Sequence, residues 1–340
     1  MQIDYPARLE LAHLPTPIHK LPRLSAEIGR ELYIWRDDLT GFVESGNKIR
    51  KLEFLLAHAL ECGANRVITS GGIQSNHTRA TSFAARRMGL KVALVVREPK
   101  TGPVSEPTGN LLLNRIAGAD LHFISYAQYG AQGGYGSALE ELAEQYRRGG
   151  DTPYIIGEGG SVPRGCFGYL RAVEEMLATW GKTDAKTAAP DALFFAEGSG
   201  GTHAGLQLGF ELHGLSPRQL WAINICDTAE YFQKRVGALI EETAREFNLP
   251  SRDRHLQVLD GHVADKDDDL AFYMKVARQE GVLLDPSYTG KAFRGMLAEI
   301  RKTPERFGKK ILFLHTGGGF ATFAFQDHFS RALAQDQKEQ

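Results

Sequence analysis

Along the chain, short unbroken apolar runs alternate with longer stretches whose apolar residues recur at helical spacing. Arg66 to Ser70, Val92 to Val96, Leu121 to Ile124, Ala192 to Ala196, Leu220 to Ile225 and Ile311 to His315 are of the first kind and predict buried strands. Glu31 to Trp35 and Pro153 to Ile156 add two more. In Lys51 to Cys62, the residues Leu52, Leu55, Leu56, Ala59 and Leu60 fall on one face and predict an amphipathic helix. Further helices are expected over Asn76 to Met88, stopped near Gly89, and over Asn110 to Ala117, Ser137 to Arg148, Gly165 to Trp180 and His203 to His213. Gly181 to Pro190 reads as a polar connector. Strand and helix in turn predict an α/β protein with parallel sheets. The run from Lys51 to about Gly159 forms a βα set of its own. The expected architecture is therefore two open twisted parallel-sheet domains with a cleft between them, and ligands in such folds sit beyond the carboxyl ends of the strands.

Composition narrows the classes. A chain of 340 residues has room for two ordinary domains. A net charge of −1 supplies no overall attraction to nucleic acid or an anionic membrane. Cys62, Cys166 and Cys226 are odd in number and far apart, so they suggest neither a metal site nor a disulfide framework, and a reducing compartment is expected. The first ten residues carry Asp4, Arg8 and Glu10 and lack the apolar segment of a secretory leader. No apolar run approaches the roughly 20 residues that span a bilayer. A cytoplasmic protein with no metal and no membrane partner is expected.

Three polar motifs sit where strands give way to helices. Gly46-Asn47-Lys48-Ile49-Arg50-Lys51 places lysines where a helix opens. A lysine becomes nucleophilic only when it is desolvated or set among cations, and Arg50 and Lys51 flank Lys48. Taken alone, this stretch also fits a solvated basic turn. Gly71-Gly72-Ile73-Gln74-Ser75-Asn76-His77 is a polar loop entering a helix. Its backbone N–H groups suit an anion such as a carboxylate, although Ser75 also reads as an ordinary helix cap. Ser199-Gly200-Gly201-Thr202 follows a strand and suits a phosphate; many such turns bind nothing. The loop is not a Walker motif, and the Gly-x-Gly-x-x-Gly dinucleotide fingerprint is missing from the first βα unit, which argues against a nucleotide-binding oxidoreductase. Two further segments, Leu284-Asp285-Pro286-Ser287-Tyr288-Thr289 and His315-Thr316-Gly317-Gly318-Gly319, follow in the C-terminal third.

Together these motifs resemble the fold-type II pyridoxal 5′-phosphate (PLP) enzymes and, within them, the D-cysteine desulfhydrase and 1-aminocyclopropane-1-carboxylate (ACC) deaminase family. The resemblance runs from Pro15-Thr16-Pro17 to Thr316-Gly317-Gly318-Gly319. It implies a large domain of residues 1–50 and 160–340, a smaller inserted domain of residues 51–159, the cofactor in the interdomain cleft, and a homodimer. It implies that Lys48 forms the Schiff base with PLP, with Lys51 the runner-up and nearer the phosphate. Ser199, Gly200, Gly201 and Thr202 would cradle that phosphate, Asn76 would bond the phenolic oxygen, and Thr316 would face the pyridine nitrogen. Ser75 would hold the substrate carboxylate and help the proton steps. His77, Ser161, Tyr288 and Thr289 would line the substrate side, with Tyr288 near the reacting atoms and able to exchange a proton if the site lowered its pKa. ACC deaminases carry glutamate after the pocket tyrosine and leucine at the position of Thr316; Thr289 and Thr316 are the desulfhydrase combination. The implied reaction is β-elimination from a small β-substituted amino acid, D-cysteine above all, to pyruvate, ammonia and hydrogen sulfide. ACC deamination, a cysteate-type elimination and a non-catalytic ligand-binding role remain as alternatives. Two departures stand out. The usual Gly-Tyr-Gly-x-Pro segment is replaced by Asp260-Gly261-His262-Val263-Ala264-Asp265-Lys266, and Glu158 precedes Gly159-Gly160-Ser161. If Glu158 points inward, it argues against a second anionic group on the substrate.

Overall fold

The computed structural model describes residues 3–104, 106–183, 187–250, 255–263 and 269–339. The chain begins with strand β1 (Ile18–Lys20), helix α1 (Pro22–Ile28) and strand β2 (Glu31–Trp35). Helix α2 (Asn47–Glu61) leads into a βα series: β3 (Arg66–Gly72), α3 (Asn76–Arg87), β4 (Lys91–Arg97), α4 (Gly109–Ile116), β5 (Asp120–Ile124), α5 (Tyr126–Ala131), α6 (Gly136–Arg148) and β6 (Pro153–Ile155). Next come α7 (Pro163–Trp180), β7 (Ala192–Glu197), α8 (Gly201–Leu212), β8 (Leu220–Asn224), α9 (Ala229–Glu246) and β9 (Val258–Leu259). The rest is α10 (Asp269–Glu280), α11 (Thr289–Lys302), β10 (Lys310–Leu314) and α12 (Gln326–Glu339).

Two sheets result. One has the order β1-β2-β10-β7-β8-β9 and is parallel except for the β1–β2 edge pair; the other, β5-β4-β3-β6, is parallel throughout. Strands such as β4 and β10 are apolar without alternation because helices cover both faces. Helix α2 bridges the two layers. Its Ile49, Leu52, Leu55, Leu56 and Ala59 pack with Val67, Val92 and Leu94 of the smaller sheet, while Phe54 packs with Cys166, Phe167 and Leu170 of α7. Leu60, expected on the buried face, is 39% exposed at the last turn.

The expected strands and helices are all present within a few residues at each end. Several elements went unread: the edge strands β1 and β9, and helices α1, α5, α9, α11 and α12. Helix α9 was legible in principle, since Phe232, Val236, Leu239 and Ile240 recur at helical spacing and are buried. β1 and β9 are three and two residues long and exist only because a neighbour pairs with them. Helix α2 starts at Asn47, one turn earlier than its apolar pattern, because tertiary contacts hold the preceding loop. Thr40 Oγ1 accepts from Gly46 N–H at 2.8 Å, and Thr316 O accepts from Asn47 N–H at 3.0 Å. Lys48 is thereby lifted onto the first helical turn. Residues 264–266 of the substituted segment, and residues 184–186 of the connector, lie outside the described residues.

Candidate active site

The ends of β3, β4, β6, β7, β8 and β10 converge on one cleft of about 610 Å³. Lys48 lines it from the N-terminus of α2. Gly46 makes that placement feasible. It adopts φ +107°, and a side chain there would bring Cβ to 2.8 Å from Thr316 O. The lysine loop and the Thr316 loop are thus in backbone contact, although 269 residues separate their positions in sequence.

Burial lowers the Lys48 pKa to about 8, against the opposing pull of Glu158 and Glu197. A buried ammonium loses hydration, so the neutral amine gains ground near neutrality. The flanking cations are not the cause. Arg50 turns away into a buried ion pair with Asp37 (2.8 Å) and reaches Glu175 at 2.7 Å.

Ser75 is the N-cap of α3, and its Oγ accepts from Thr78 N–H at 3.2 Å. The hydroxyl proton remains for a ligand. Asn76 Oδ1 accepts from Asn110 Nδ2 at 2.9 Å, which leaves the Asn76 amide nitrogen as the free donor. Asn110 is wholly buried on α4 and also grips Gln74 through two bonds of 2.9 Å. It holds the loop in shape and was not singled out from sequence, where it is one of many polar residues at a helix start.

His77 is buried beneath the same loop. The Thr69 hydroxyl donates to Ile156 O at 2.7 Å, so at the 2.8 Å contact with His77 it must accept from Nε2–H. That sets the tautomer and leaves Nδ1 bare and buried. Burial first, then Lys48 and Lys51, hold this imidazole well below its usual pKa, so it stays neutral.

The glycine loop opens α8. Glu197, the last residue of β7, accepts from Gly200 N–H at 3.1 Å through one carboxylate oxygen and contacts His203 Nδ1 at 2.7 Å through the other. This buried pair clamps the loop from below. Its sequence signal, an acid at the end of an apolar strand before Gly198, was available. Thr202 Oγ1 accepts from Asn47 Nδ2 at 3.1 Å, which joins the loop to the lysine turn.

Not every expected residue reaches the cleft wall. Lys51 and Ser161 lie behind the glycine loop. The ammonium of Lys51 contacts Gly159 O at 3.3 Å and Ser161 Oγ at 3.4 Å; Ser161 Oγ donates to Ser199 Oγ at 2.8 Å and accepts from Gly201 N–H at 3.0 Å. Ser161 therefore braces the glycine loop from behind and does not stand on the cleft wall. Thr289 turns into its own loop, where its hydroxyl donates to Asp285 Oδ1 at 2.6 Å. Tyr288 does line the cleft, but its pKa moves up, not down. Burial is the main cause, followed by Asp285, Cys226 and Glu158. It remains a phenol. Thr316 stands on the wall, 8% exposed.

The donor set fits a phosphorylated carbonyl cofactor. Lys51 is fully buried, no carboxylate pairs with it among the described residues, and burial together with Lys48 depresses its pKa well below normal. A buried cation of this kind needs an anion. The N-terminus of α8 supplies backbone donors beside it. Gly201 keeps the space open, because a Cβ there would lie 2.8 Å from Lys51 Nζ and 2.7 Å from Ser161 Oγ.

A lysine with its pKa lowered to about 8, in one cleft with a polar helix-entry loop and a glycine loop, is the arrangement of an enzyme that holds a carbonyl cofactor by a phosphate tail. Residues 9–317 match the family model described as pyridoxal-phosphate dependent enzyme, and the chain belongs to that family. Among its relatives, a bifunctional D-cysteine desulfhydrase/1-aminocyclopropane-1-carboxylate deaminase, mitochondrial, of Arabidopsis thaliana is 42% identical over 91% of this chain and 77% of that protein. A D-cysteine desulfhydrase of Salmonella choleraesuis is 37% identical over 94% of this chain and 97% of its own length. The crystal structure of an ACC deaminase homologue superposes with a TM-score of 0.84 at 37% identity, covering 96% of both chains. The crystal structure of a threonine deaminase, at 18% identity and a TM-score of 0.64, shares the fold, covering 89% of this chain and 92% of its own. The chain is thus a PLP-dependent enzyme of fold type II. No helix among the described residues is long and apolar enough to cross a membrane.

Proposed function

We propose that this enzyme catalyses β-elimination on a small β-substituted amino acid, with D-cysteine the first candidate, giving pyruvate, ammonia and hydrogen sulfide. The observation that carries the reading is Lys48, a lysine with its pKa lowered to about 8, in one cleft with Ser75, Asn76 and the glycine loop. The names of the relatives support the choice of substrate. PLP, when bound, supplies the electron sink that acidifies the substrate Cα–H.

In this proposal the chain's residues divide the remaining work. Lys48 would anchor the cofactor and, as a free amine, would take the substrate's Cα proton; an amine half-neutral near pH 8 suits both tasks. Lys51, Ser199, Gly200, Gly201 and Thr202 hold the phosphate, with Ser161 bracing the loop. Asn76 donates to the phenolic oxygen through the nitrogen that Asn110 leaves free. Ser75 and the α3 N-terminus hold the substrate carboxylate, above the neutral His77. Tyr288, kept protonated, donates to the departing β-substituent. Thr316 offers a neutral hydroxyl to the pyridine nitrogen, which limits electron withdrawal and favours elimination over transamination. Thr289 acts through Asp285, as a brace of the Tyr288 loop.

Residues 51–159 serve as the inserted domain, a division supported by the four-stranded sheet falling wholly inside those numbers. The three free cysteines support a reducing, cytoplasmic setting, and the family resemblance supports a homodimer. The test is pyruvate release from D-cysteine, L-cysteine and ACC by the purified holoenzyme. Turnover of D-cysteine supports the reading, and turnover of ACC alone replaces it with ring-opening deamination.

A further inference from the structure

The charged side chains that line the cleft without a part in handling cysteine are Arg97, Glu98, Lys100, Glu158 and Asp227, and two of them, Arg97 and Glu158, stand at the strand ends on either side of the Ser75 loop. Arg97 ends β4 and Glu158 follows β6, so they flank β3, whose own end carries the Ser75 loop. Both line the cleft. The Arg97 guanidinium forms no hydrogen bond or ion pair among the described residues. It lies over Tyr129 at 4.5 Å and Tyr126 at 5.4 Å from the ring centres, and Lys100 shares the Tyr126 ring at 4.9 Å. Stacking of this kind fixes the plane of a guanidinium and leaves its N–H donors unused. The Glu158 carboxylate also has no hydrogen-bond or ion-pair partner among the described residues, and it is open to the water of the cleft. Its pKa is raised by desolvation from the surrounding protein, against Arg235, Arg97 and Lys48. Arg97, Tyr129 and Glu158 line the same cleft, with the guanidinium over the Tyr129 ring and Glu158 within electrostatic reach of that phenol.

Cysteine calls for neither group. In the elimination reading its carboxylate is met by the Ser75 loop, its amine belongs at the cofactor carbonyl that Lys48 would otherwise hold, and its thiol is small. An unpaired cation and an unpaired anion in one cleft are matched by a ligand that brings one of each. We propose that Arg97 and Glu158 form a distal subsite for the carboxylate and ammonium of a second amino-acid head. The substrate class is then thioether or disulfide amino acids such as lanthionine. Glu158 alone argued against a second anion on the substrate; the unpaired Arg97 beside it reverses that expectation. The inference rests on the elimination reading above. From lanthionine, Cα loses a proton to Lys48, the Cβ–S bond breaks with its electron pair leaving on sulfur, and one water is consumed. The products are free cysteine, pyruvate and ammonia, with no oxidant or reductant required.

The test compares kcat/KM for lanthionine and cysteine, in D and L forms, for wild-type holoenzyme, Arg97→Leu and Glu158→Gln, with calorimetric binding of lanthionine alongside. The expected result is that wild type favours lanthionine and that each substitution lowers the lanthionine-to-cysteine ratio by at least about tenfold through KM, as loss of one charge-assisted hydrogen bond implies. Cysteine turnover without lanthionine turnover, or ratios unchanged in both variants, overturns the subsite. If neither compound is turned over, the elimination reading falls, and calorimetry decides the subsite separately. Lanthionine binding that weakens about tenfold in Arg97→Leu upholds it, and binding that is absent or indifferent to the substitution overturns it.

Discussion

Gly201→Ala adds one methyl group to the wall of the glycine loop. Gly201 lies outside the left-handed region, so alanine is permitted there by the backbone and the effect is steric. The new Cβ would stand 2.7 Å from Ser161 Oγ, 2.8 Å from Lys51 Nζ and 2.9 Å from Ser161 Cα. The end of Lys51 can swing aside, but the Ser161 backbone must move. Either response takes a donor away from the phosphate position. Loss of one hydrogen bond to a charged group costs about 1.5–3 kcal/mol, or roughly 10- to 150-fold in affinity. The assay is titration of the apo-protein with PLP, followed by visible absorbance, with a thermal melt to show that the fold is retained. Gly136→Ala is the control, because a methyl group there meets nothing within 4 Å. A folded Gly201→Ala protein that binds PLP as tightly as wild type would refute the cradle.

Other consequences follow from the same geometry. Lys48→Ala should abolish the covalent, borohydride-trappable link between chain and cofactor and lower elimination by at least about a thousandfold, since anchor and base vanish together; near-full pyruvate release would end the assignment. Because burial lowers the Lys48 pKa to about 8, the reactive free amine is scarce below that pH and predominates above it. The rate of covalent PLP capture by the apo-protein should therefore rise with pH and level off above about 8, whereas a rise continuing to the ordinary lysine range, about 10.4, would show that Lys48 is not desolvated. Asn110→Ala should raise the substrate KM about tenfold and destabilise the fold by about 1–3 kcal/mol, as the part-buried side-chain hydrogen bonds to Gln74 O and Asn76 Oδ1 are lost while the backbone bond to Gln74 Oε1 stays; steady-state kinetics and denaturant melts check both. Glu197→Ala should leave His203 unpartnered and loosen the Gly200 turn, weakening PLP affinity by about tenfold in the same titration used for Gly201.

The sequence by itself determined the strand–helix alternation, the extent of the smaller sheet and the three loops at strand ends, because period and glycine placement are local properties. It also carried the family resemblance and placed Lys48, Ser75, Asn76 and Thr316 on the list of cleft residues. Local pattern could not tell which way a side chain turns once two loops meet. Thr289 reads as a pocket residue until Asp285 captures its hydroxyl, and Ser161 until it is found bracing Ser199 and Gly201. The lowered pKa of Lys48 also looked like an effect of adjacent cations. In three dimensions Arg50 points into its own ion pair, and desolvation does the lowering. Asn110, Glu197 and His203 matter only through partners that the fold brings to them. The same holds for the unpaired Arg97 and Glu158, which the order of the parallel strands sets on either side of β3. Proximity between strand ends is a property of topology, and only the tertiary structure decided it.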